Sequence, residues 1–97
     1  MRFITRNMLV AAIEAQGTNT FDSHAIEQHL YRHEQIAFVR ELYENIGAAT
    51  YPFTKTCRQI GLELSRMIDV VEKIDNVSSP TFSGEIRPCA LWRNRRK

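Results

Sequence analysis

The sequence predicts an α+β fold, mainly helical, with three to four helices followed by a C-terminal two-stranded hairpin. Three observations predict it. Apolar residues recur at helical spacing in the first two thirds of the chain. Glycine is scarce there, with Gly17 and Gly47 standing where helices stop. After residue 67 the pattern changes to two β-branched or alternating runs, 70–75 and 85–92, separated by the loop-like stretch Ser78-Ser79-Pro80-Thr81-Phe82-Ser83-Gly84.

The first helix runs from near Thr5 to just before Gly17, with Ile4, Met8, Leu9, Ala12 and Ile13 on one side. Gly17 supplies the left-handed residue that commonly ends a helix. Thr18-Asn19-Thr20-Phe21 has the residue types of a short extended piece, able to pair with the later hairpin. Asp22 or Ser23 then caps the next helix.

Residues 23–46 contain neither proline nor glycine. At about 100° per residue, Phe38, Val39, Leu42 and Ile46 form one stripe, whereas Ile26 and Leu30 fall roughly 120° to 160° from Leu42. One straight helix cannot bury both stripes against one neighbour. Either the chain breaks between Tyr31 and Glu34, or its two ends pack on different partners.

Pro52 is suited to opening the next helix, over 53–67, whose apolar stripe is Phe53, Cys57, Ile60, Leu64 and Met67. Gly61 beside it is read as a point of close approach. On the other side Lys55, Arg58, Gln59, Leu62 and Arg66 fall within about 100°, with Glu63 outside that arc. Pro88, lacking an N–H, marks either an open strand edge or a bulge.

A chain of 97 residues is one domain, taken as 1–92, with a basic tail at 93–97. Its 43% hydrophobic and 25% charged content is that of an ordinary globular protein. No apolar run approaches the roughly 20 residues that span a bilayer, and the basic start Met1–Arg6 leads into a segment carrying Glu14 rather than a cleavable leader. The expected compartment is the cytoplasm. Cys57 and Cys89 form no CxxC pair and are read as reduced packing residues. The net charge of +2 says little, but no acid follows Glu85, while Arg87, Arg93, Arg95, Arg96 and Lys97 do.

Chemistry at a site has little support. His29 and His33 share a helical face as two metal ligands would, but no third ligand stands at matching spacing, so no metal or cofactor is assigned. Phosphate loops, HExxH and nucleophile elbows are absent, and Cys57 lies on an apolar stripe, where a thiol is inert. The reading is therefore not an enzyme, with no small-molecule ligand indicated. Trp92 reads as a packing residue.

The order helix, short extended piece, helical segment, helix, hairpin, with the transition Leu64-Ser65-Arg66-Met67-Ile68-Asp69-Val70-Val71-Glu72-Lys73 from helix to strand, resembles the winged helix-turn-helix superfamily. The chain departs from it in residues 33–46, which add a helical segment before the helix over 53–67. The resemblance implies a DNA-binding regulator or accessory factor, with the helix 53–67 in the major groove and the hairpin 70–92 as a wing. The expected interface is then Thr54, Lys55, Arg58, Gln59 and Arg66 on the helix, with Lys73, Arg87, Arg93, Arg95, Arg96 and Lys97 on phosphates. A homodimer is expected, since paired helices read two half-sites. The alternative is an interaction or dimerisation module without DNA binding, using the apolar residues Leu62, Phe82, Tyr31, Ile36 and Tyr43.

Overall fold

A computed structural model describes all residues, 1–97, as four helices and a three-stranded antiparallel sheet. The chain order is α1 (Arg6–Ala15), β1 (Thr20–Asp22), α2 (Ser23–His33), α3 (Gln35–Ile46), α4 (Pro52–Arg66), β2 (Val71–Pro80) and β3 (Ile86–Asn94). No helix is long and apolar enough to cross a membrane.

The helix ends follow local chemistry. The Thr5 hydroxyl accepts from the Met8 amide at 3.3 Å and the Asp22 carboxylate from the Ala25 amide at 2.8 Å, each taking one of the donors a helix start leaves unpaired. Of the two candidate caps for α2, Asp22 is the one used. Gly17 has φ +68°, the conformation in which a side chain would be strained. Pro52 opens α4.

The segment 23–46 is two helices. Glu34, at φ −128° and ψ 50°, separates them, so Ile26 and Leu30 of α2 and Phe38 of α3 enter the same core from different axes. That core also takes Leu9, Ala12 and Ile13 of α1, Ile60 and Leu64 of α4, Met67, Val70 and Val71 after it, and Phe21 and Trp92 from the sheet.

Four expectations are corrected. The sheet has three strands rather than two, because Thr20, Phe21 and Asp22 pair with Arg93, Trp92 and Leu91, making β3 the central strand. The hairpin is longer than its composition suggests: Ser78, Ser79 and Pro80 belong to β2, opposite Pro88, Arg87 and Ile86. The buried side of α3 is Ala37, Phe38, Glu41 and Asn45, while Val39 and Ile46, two members of the expected stripe, are exposed. Finally, a side chain placed on Gly61 would meet nothing within 4 Å, so no close approach occurs there.

Glu41 and Asn45 explain the rotation of α3. The Glu41 carboxylate accepts from the Phe3 and Ile4 amides, and Asn45 Nδ2 donates to Thr56 Oγ1 at 2.8 Å and to Gln59 Oε1 at 3.0 Å. Buried polar groups are tolerated when paired in this way.

An extra residue, Ile74, interrupts the β2/β3 register between Lys73 and Asp75. Bulges of this kind bend the strand that carries them. The far half of the hairpin lies over α2, where His24 Nδ1 is hydrogen-bonded to Ser79 Oγ at 2.8 Å and Gln28 Nε2 donates to the Pro80 carbonyl at 3.2 Å. At the tip, Phe82 meets Phe53 at 4.3 Å and Tyr31 at 5.2 Å between ring centroids. Pro88 lies opposite Ser78, beyond the three residues where β1 covers β3, so its missing N–H faces an open edge.

A candidate nucleic-acid interface between helix α4 and the hairpin

Because the hairpin curls back toward α2 and α4, it encloses a groove of about 920 Å³ against the outer face of α4. Thr54, Arg58, Leu62 and Ser65 form the helix wall, on the side opposite the buried Ile60 and Leu64. Lys73 of β2 and Arg87 of β3 stand on the facing wall. Thr54 and Arg58 also border a smaller hollow of about 320 Å³ with Lys55, Gln59 and residues 49–51. The exposed side of α4 is thus the ridge between two concavities.

The eleven expected interface residues separate by their partners. Arg58 and Lys73 face the groove and neither has an acidic partner; Lys55, half-buried, and Lys97 are likewise unpaired. Thr54 is exposed beside Arg58. Gln59 is engaged within the fold, accepting from Asn45. Arg66 lies 3.5 Å from Glu63, the acid expected to stand outside its arc, and Arg87 lies 2.9 Å from Glu85.

The arginines near the C-terminus fall on acids of their own fold. Arg93 and Arg95 share Glu72, at 3.4 Å and 3.2 Å, and Arg96 lies 4.0 Å from Asp69. Asp69 also receives a hydrogen bond from Arg6, the main cause holding its carboxyl below the usual range. The backbone here is tied down as well: the Asn94 amide donates to Asn19 and the Arg95 amide to Val70, each at 2.8 Å. Strand β3 runs through Asn94, two residues past the boundary drawn at 92.

The groove's floor, which sequence reasoning missed, joins His24 and Glu27 of α2 to Cys57 of α4 and Cys89 of β3. Burial raises the Glu27 carboxyl above its ordinary value, against the opposing pull of a Cys57 hydrogen bond and the His24 charge. Burial, then the Glu27 charge, pushes the Cys57 thiol far up, so it is neither a thiolate nor a nucleophile at neutral pH. The one available signal was helical spacing: His24 and Glu27 share a side of α2. His29 and His33 stack with ring centroids 4.6 Å apart, and burial followed by the charge of His33 lowers His29. No group of three or more metal-ligating side chains comes together.

Chemically, the groove offers two unpaired cations on opposite walls, hydroxyls from Thr54 and Ser65, and a floor carboxyl biased toward its neutral form. These are groups that bind anions and accept hydrogen-bonding edges. Comparison with protein-family models, curated proteins and solved structures finds no match to this chain.

Proposed function

We propose that this chain is a small cytoplasmic DNA-binding protein of winged-helix type, a transcriptional regulator or accessory factor, that presents α4 to the major groove. The element order and the β1-β3-β2 sheet support this reading, with α3 as an added helix before α4. The observation that carries it is the pairing pattern of the cations. Seven arginines are held by acids of the fold and an eighth, Arg40, is stacked over Phe3 at 5.8 Å, whereas Arg58 and Lys73 face one groove without an ion-pair partner.

In this arrangement a phosphate strand follows the channel between α4 and the hairpin, contacting Lys73. Arg58 and Thr54 reach base edges, and Leu62 contacts a thymine methyl. The hairpin acts as a wall rather than a protruding wing, because Phe82 is seated on Phe53 and Tyr31.

The test is duplex binding, by fluorescence anisotropy over a salt series, on random and genomic fragments. Lys73→Ala is expected to weaken all sequences alike and to lower the salt slope by about 1. Arg58→Ala is expected to cost about 1–3 kcal/mol on the preferred sequence and to relax that preference. Absence of binding at low salt defeats the reading.

A further inference from the structure

Helix α3 is mounted with its most apolar stripe outward. Ile36, Val39, Tyr43 and Ile46 are 73%, 58%, 76% and 57% exposed. Their spacing of three, four and three residues is the a/d pattern of a helix-to-helix seam, confined to about 80° of arc. Diametrically opposite, the same helix buries Glu41 and Asn45. A helix free to rotate would bury the isoleucines instead; the bonds from Glu41 to the Phe3 and Ile4 amides, and from Asn45 to Thr56 and Gln59, hold it this way round.

We propose that this face is a two-fold interface with a second copy of the chain, α3 lying antiparallel on α3 with the axis crossing the outer face midway between Val39 and Tyr43. Side-chain sizes favour that direction. Antiparallel, the small Val39 receives the large Tyr43 of the other copy and Ile36 meets Ile46; parallel, Tyr43 would collide with its own counterpart. Opposed helix dipoles favour it as well.

The flanks raise no objection. Gln35 and Leu42 border one side and Arg40 the other, while Glu44 is drawn off by Arg2 at 2.9 Å. The four side chains expose roughly 500 Å² per copy, so a pair covers about 1,000 Å², the lower bound for a specific interface and more than solitary surface residues require. The inference rests on α3 alone and is independent of what α4 binds.

The experiment is sedimentation equilibrium over a wide range of protein concentration. The wild type is expected at twice its 11.3 kDa chain mass. Val39→Glu and Tyr43→Lys, each on an already exposed position, are expected to be monomers with unchanged circular dichroism and Trp92 emission. Mixed together they are expected to regain a dimer, because antiparallel packing sets position 39 against position 43; native mass spectrometry identifies the mixed pair. A wild type that stays at single mass, a dimer that survives Val39→Glu, or a mixture that stays monomeric overturns the proposal.

Discussion

Trp92 Nε1 donates to Ser23 Oγ at 2.8 Å, tying the central strand to the first turn of α2 inside the core. A buried indole N–H that loses its acceptor keeps the full cost of leaving water. Ser23→Ala is therefore expected to destabilise the fold by about 1–3 kcal/mol. The double variant with Trp92→Phe should cost less than the two single changes together, because the second removes the orphaned donor. Urea unfolding followed by circular dichroism measures all three.

Glu41 has a comparable part at the other end of the molecule. Its carboxylate accepts from the amides of Phe3 and Ile4, and Ile4 is itself buried. Glu41→Ala leaves both donors unpaired and is expected to cost about 2–4 kcal/mol. Hydrogen exchange should quicken at Phe3 and Ile4 beyond what the global loss of stability accounts for. Equal acceleration at every core amide would contradict a local role.

The sequence anticipated what depends on neighbours along the chain and missed what depends on distant ones. Helix limits at Asp22, Gly17 and Pro52 were readable because caps and breakers act within a turn. The rotation of α3 was not. Hydrophobicity ranks Val39 and Ile46 above Glu41 and Asn45, and only Phe3, Ile4, Thr56 and Gln59, all outside that helix, reverse the order. Likewise Ser78-Ser79-Pro80 has the composition of a loop, yet pairing with β3 and the contacts from His24 and Gln28 make it strand. In the candidate site, the angular position of Arg58 on α4 was legible. The acids that occupy Arg93, Arg95 and Arg96 were not, since Glu72 and Asp69 reach them only through the sheet.

Glu27 gives the fold a pH dependence of definite sign. Its folded-state pKa is raised from the ordinary 4.5, chiefly by burial. In the folded state it therefore holds its proton to higher pH than in the unfolded chain. The stability linked to it is complete below 4.5 and is lost as pH rises through the folded value. Glu27→Gln should accordingly raise stability over wild type at neutral pH, and the gain should vanish in acid. Thermal melts at several pH values read this directly; a gain that grows on acidification would reverse the assignment.

Phe82 fastens the hairpin tip. Its ring packs on Phe53 and Tyr31 while remaining 45% exposed. Phe82→Ser is expected to cost about 1–2 kcal/mol. It should also open the tip to proteases at residues 81–85 while the helices stay resistant, because the other hairpin contacts lie at Ser79 and Pro80. Cleavage spread evenly along the chain would show that the ring supports the whole core instead.

The central position of β3 also bears on the order in which the molecule can assemble. Both other strands find their hydrogen-bonding partner in β3, the last of the seven elements along the chain, and Thr20 must wait for Arg93. The helices can form from nearby residues within microseconds, but closing a loop that long is slow. During synthesis Phe21 and Val71 are made well before the strand that shelters them. Until it emerges the nascent chain is a helical cluster with an unfinished edge, open to chaperones or to another growing copy.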